Sequence, residues 1–132
     1  MKSSPPAEPF RFRPGTALKS RREPFHRCLI LSDPARNGGW VVLVRVTTHD
    51  GRWPDQDCLL TSTDWPALDH PSTVAYSTAM CGQVEAKLLR AIELGEFELI
   101  APPRPEILQR VIAAAHNSAG LSPKAKSWLA TL

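Results

Sequence analysis

Histidine is the side chain best suited to acid–base work near neutral pH, and two of the four histidines fall where they could act together. His26 opens an apolar run, His26-Arg27-Cys28-Leu29-Ile30-Leu31-Ser32, and His49 follows a β-branched run that ends in Thr47-Thr48. If the two runs are antiparallel neighbours in a sheet, both histidines come to one end of it, with Arg27 and Thr48 beside them. Such a set suits acid–base chemistry at a phosphodiester, which needs a base for the attacking hydroxyl, an acid for the leaving oxygen, and a cation for the charge gathering on phosphate. Arginine fills the last role because its planar fork holds two phosphate oxygens and stays charged. The plainer reading is that His26 begins a strand with its ring half buried and that Thr47 and Thr48 are ordinary strand-end residues. Strict alternation also sets His26 and Arg27 on opposite faces unless a bulge intervenes. His70 and His116 read as surface residues.

Other chemistries find little support. Cys28, Cys58 and Cys81 cannot all pair within one chain, and none forms a CxxC or another local ligand pair. No metal site is therefore expected, and reduced thiols in a cytoplasmic protein are the simplest reading. Asp50, Asp55 and Asp57 crowd the 49–57 loop but lack the pattern of a calcium loop, so they are expected to satisfy turns. There is no phosphate loop, nucleotide fingerprint or nucleophile elbow, and no cofactor is implied. Trp53 and Trp65, with Phe25, Trp40 and Tyr76, offer either stacking surfaces for unpaired bases or core.

At 132 residues and 14.6 kDa the chain is the size of one domain. No apolar run approaches the roughly 18 residues of a membrane span, and the start lacks a secretory stretch. Net charge is +3, but unevenly spread: residues 1–27 carry +5 and residues 28–132 carry −2. A basic segment that includes Arg21 and Arg22 suits an anionic partner such as RNA, DNA or an acidic peptide. Five prolines, at positions 5, 6, 9, 14 and 24, keep that segment from being helical. The expected organisation is a flexible basic arm over 1–14 and a single domain over 15–132.

Elements must then position these groups. Short strands are expected at 15–18, 26–32, 40–48, 57–61 and 73–80. In the last of these, Val74, Tyr76, Thr78 and Met80 share a face. After Gly82 the apolar period changes from two to 3.6. Helices follow over 83–94, stopped by Gly95, over 105–118, opened by Pro105, and after the Ser122 cap. Strands followed by helices argue for an α+β fold, a small curled antiparallel sheet or barrel covered by two or three C-terminal helices.

The residues His26–Ser32 followed by Asp33-Pro34, then Val41–Thr48, then Asp57-Cys58-Leu59-Leu60, then Ser72–Tyr76 resemble the PemK/MazF-like toxins, and more closely a bacterial branch of that superfamily. The resemblance covers about residues 15–80. It implies an SH3-like β-barrel, a homodimer, and an endoribonuclease for single-stranded RNA that an antitoxin protein restrains. It further implies an arginine near the second strand, matched by Arg27 and less closely by Arg21 or Arg22, and a threonine at the end of the third, matched by Thr48 or Thr47. Two departures stand out: Pro24-Phe25-His26-Arg27 replaces an Arg-Pro pair, and the opening strand is reduced to Gly15-Thr16-Ala17-Leu18. The alternative is a barrel of the same descent that binds nucleic acid or a protein without cleaving.

Overall fold

The computed structural model describes residues 10–22, 25–49 and 54–132. Its centre is β3 (Val41–Thr48), the most β-branched run of the chain. It pairs antiparallel with β2 (Arg27–Ile30) on one side and β5 (Ser72–Gly82) on the other. Two-residue β4 (Leu59–Leu60) extends the β5 edge, whereas β1 (Ala17–Ser20) and β6 (Phe97–Ile100) extend the β2 edge. The order is β4-β5-β3-β2-β1-β6, an α+β fold whose sheet is not closed into the expected barrel. The strands at its two edges, β4 and β6, are not paired with each other.

Alternation along β2 and β3 divides the core in two. Leu29, Leu31, Val42, Val44 and Val46 face α2 (Pro105–Asn117), meeting Leu108, Val111 and Ile112. Leu18, Cys28, Ile30, Val41 and Leu43 face the other way, towards Phe12 and Leu88 of α1 (Glu85–Glu93). Both faces are covered, which is why β2 and β3 read as nearly continuous apolar runs. Gly95 ends α1 at φ 76°, donating to the Ile92 carbonyl. Ser122 caps α3 (Pro123–Lys126) by accepting from the Ala125 N–H at 3.1 Å.

Three features depart from expectation. β6 lies between α1 and α2, so α1 is enclosed between strands and only α2 and α3 are C-terminal. Phe12, placed by sequence in the arm, is fully buried, and Glu85 takes both the Phe12 N–H (3.1 Å) and the Arg11 guanidinium (2.8 Å). Finally, β5 slips against β3 between Leu43 and Arg45. This bulge breaks the expected shared face: Val74 and Tyr76 stay in the core, while Thr78 turns to Arg45 and Met80 pairs with Leu43.

Candidate functional site

Two registers build a cleft at one end of the sheet. Arg27 lies opposite Val46, so Thr48, two residues further, points from the same face as Arg27. Thr48 in turn lies opposite Ser72, which brings the residues just before β5 over that face. The His49 N–H donates to the Pro71 carbonyl at 3.0 Å and the Ser72 hydroxyl to the His70 carbonyl at 2.9 Å, fixing this approach. The result is a cleft of about 270 Å³, bordered by Phe25, Arg27, Thr48, Leu68, Asp69 and His70.

Arg27 is the most enclosed charge there. Its Nη2 donates to Asp69 Oδ2 at 2.9 Å and its Nη1 to the Phe25 carbonyl at 3.3 Å. Among the described residues its Nε is buried with no acceptor, an uncommon state for a donor. Beside it, Thr48 Oγ1 is hydrogen-bonded to His70 Nε2.

The structure separates residues that the sequence grouped. His26 and Thr47 border the cleft, but the His26 ring points to the opposite face. There its Nε2 accepts from Arg45 Nη1 at 3.3 Å. Burial, then the Arg45 charge, lowers the His26 pKa. His49 turns to Gln56, with Nε2 at 2.8 Å from Oε1, and does not reach Arg27 or Thr48. Arg21 and Arg22 are exposed beyond β1 and do not border the cleft. Trp53 lies outside the described residues. Trp65 and Tyr76 are core, Trp40 stacks on Trp128, and Phe25 is the aromatic residue at the cleft.

No family model matches the sequence, and no curated protein matches it. Solved structures do. Two crystal structures of a MazE–MazF complex from Deinococcus radiodurans align with TM-scores of 0.52 and 0.53. Each is 17% identical, over 86% of this chain and 100% of the other. The fold is MazF-like. Within this MazF-like fold, Arg27 and Thr48 share a cleft that His26 and Thr47 also border, while the His26 ring turns to Arg45 and the His49 ring to Gln56.

Sequence reasoning did not single out Asp69 and read His70 only as a surface residue. The signal that could have found them is antiparallel pairing of the 73–80 and 41–48 runs, which necessarily carries the residues before the former to the end of the latter. Among the described residues no three His, Cys, Asp or Glu side chains are grouped to hold a metal, and no helix is long and apolar enough to cross a membrane. Burial pushes the Cys28 thiol up to about 11 and raises that of Cys58, keeping both thiols protonated.

Proposed function

We propose that this chain is a MazF-type endoribonuclease that cleaves single-stranded RNA without a metal in the Arg27–Thr48 cleft. The observation that carries the reading is the buried, unmatched Nε of Arg27. A phosphate that displaces Asp69 takes Nε and Nη2 side by side, the bidentate grip that arginine makes best. His70 supplies the base. In the tautomer with Nε2 protonated, that N–H donates to Thr48 Oγ1 and orients the ring, leaving Nδ1 free as the base. The 2′-hydroxyl proton passes to Nδ1, the 2′-oxygen bonds to phosphorus, and the bond to the 5′-oxygen breaks. Water protonates the leaving oxygen, giving a 2′,3′-cyclic phosphate and a 5′-hydroxyl, and His70 returns its proton to the hydroxide formed. In this reading the protein works in the cytoplasm as a homodimer, and an antitoxin protein occludes the cleft; the fold likeness to MazE–MazF complexes supports such a partner.

A second reading rests on Asp69. An acidic side chain on Arg27 opposes phosphate, as suits a barrel relative that binds nucleic acid or protein without cutting. One experiment separates the two: purified chain is incubated with single-stranded RNA, with and without EDTA, and product ends are identified. Cleavage insensitive to EDTA, falling about 10²-fold in Arg27→Gln, Thr48→Val and His70→Ala, is the expected result. Salt-dependent binding without cleavage selects the second reading.

A further inference from the structure

Beyond the far end of β2 from Arg27, past Ser32, lies another concavity. Two adjoining hollows of about 560 and 500 Å³ share Arg13, Pro14, Asp33 and Arg36 as walls. Arg11 lines one hollow and Trp128 the other. Cations dominate. Arg11 is held by Glu85, and Arg36 meets Asp33 only at 3.6 Å with its side chain 86% exposed. Arg13 has no carboxylate partner among the described residues.

Trp128 gives this groove a flat wall. Its ring stacks on Trp40 at 4.1 Å with 5° between planes, and Lys124 Nζ stands 5.8 Å from its centroid. The Asn37 side chain fixes the pair. It accepts from the Trp40 N–H at 2.8 Å and donates to the Trp40 and Trp128 carbonyls at 2.9 and 3.4 Å. One face of the half-buried indole is thus braced by Trp40, and the exposed Lys124 side chain lies over the ring, adding a cation that a stacking base would displace towards its own phosphate.

We infer that this groove is a separate contact site for single-stranded nucleic acid, with phosphates on Arg13 and Arg36 and a base against Trp128. Cations alone would suit any polyanion; a braced indole beside them matches the flat face of a nucleobase. The site does not depend on the cleavage reading, since it would bind even if the Arg27 cleft were inert. Six residues of extended chain, at about 3.3 Å each, put roughly 20 Å between the two ends. A strand of about ten nucleotides, the footprint of a small single-strand-binding domain, reaches both, and a dinucleotide does not.

The test uses the full chain and a 2′-O-methylated oligoribonucleotide of about ten nucleotides. This probe cannot be cut by 2′-hydroxyl attack, so binding here and cleavage in Arg27→Gln are read separately. The Arg13→Gln/Arg36→Gln variant, altered only at exposed side chains, should bind about ten-fold more weakly at low salt. Its slope of log affinity against log salt should be shallower by about 1.4, the value for two lost contacts to a single strand. Trp128→Phe, which keeps a ring against Trp40, should lose part of the tryptophan quenching that the probe causes. Unchanged affinity and slope in the double variant would overturn the proposal. So would a polyglutamate peptide that binds the native protein as tightly as the oligonucleotide does, since the groove would then be a protein-docking surface.

Discussion

Arg27 and Asp69 meet at 2.9 Å, and the two ends of that contact are unequal: the guanidinium side chain is 15% exposed and the carboxylate 71%. The arginine is held in place by the sheet, whereas the aspartate can swing into water at little cost. An ion pair with so exposed a partner contributes little to stability. Asp69 is best understood as an exchangeable occupant of a fixed cationic site.

Asp69→Asn should therefore strengthen RNA binding without loosening the fold. Removing one unit of negative charge beside a bound phosphate is worth about 1 kcal/mol in a watery cleft, or roughly five-fold in affinity. Stability should change by less than about 1 kcal/mol. Titration with an uncleavable oligonucleotide at low salt, alongside urea denaturation, measures both. Weaker binding in the variant would mean that Asp69 orients Arg27 instead of competing with its ligand.

Local pattern made part of this site legible and distance in sequence concealed the rest. The run Val41–Thr48 reads as a strand because six of its eight residues are β-branched, and alternation alone puts His26 and Arg27 on opposite faces, as found. His70 could not be read this way. Its partner Thr48 is 22 residues away, and only the β3–β5 register joins them. β6 was hidden for a related reason. The four residues Phe97–Ile100 are too few to display a period, and pairing with β1, about 80 residues earlier in the chain, makes them a strand. Phe12 lay in a proline-rich segment, yet a buried ring outweighs that composition. Asp55, expected to satisfy turns around its own loop, instead accepts from the Ser77 N–H and hydroxyl at the β5 bulge, 22 residues away.

His26 gives the fold a pH dependence of known sign. Burial and the Arg45 charge lower its folded pKa, so the unfolded chain binds more protons on acidification. Stability from this group is complete above about pH 6.5, the ordinary value. It drains as pH falls from there to the depressed folded value. His26→Gln, which keeps an acceptor for Arg45, should flatten the decline in melting temperature between about pH 7 and pH 5. A slope identical to that of the native protein would assign the decline to other groups.

Gly120 is required by close approach. A Cβ there would stand 2.8 Å from Asp55 Oδ1 and 2.8 Å from the Ser77 backbone nitrogen. Those two atoms are themselves hydrogen-bonded at 3.0 Å, and Asp55 is 3% exposed. Any side chain must push this buried bond apart. Gly120→Ala should cost about 2 kcal/mol, from overpacking and partial loss of a charge-assisted bond. The midpoint of urea unfolding reports it. Because the bulge also shapes the Arg45 face, amide shifts at Ser77 and Thr78 should move with it.

Tyr76 joins the sheet to α2. Its buried hydroxyl donates to the Val111 carbonyl at 2.6 Å, the centre of a helix whose Leu108, Val111 and Ile112 cover the same core. Burial raises the phenol pKa, so the hydroxyl remains a donor throughout the working range. Tyr76→Phe deletes that donor and leaves the ring in place, while helix geometry continues to supply the Val111 carbonyl with its own intrahelical partner. The expected cost is about 1 kcal/mol, the net value of one hydrogen bond and not the larger penalty of a stranded buried group. Urea unfolding should show a lower midpoint with an unchanged slope. RNA cleavage at the Arg27 cleft should be retained, because the lost bond lies beneath the sheet and touches none of Arg27, Thr48 or His70. A Tyr76→Phe protein that folds normally but has lost cleavage would show instead that α2 sets the geometry of the cleft through this one contact.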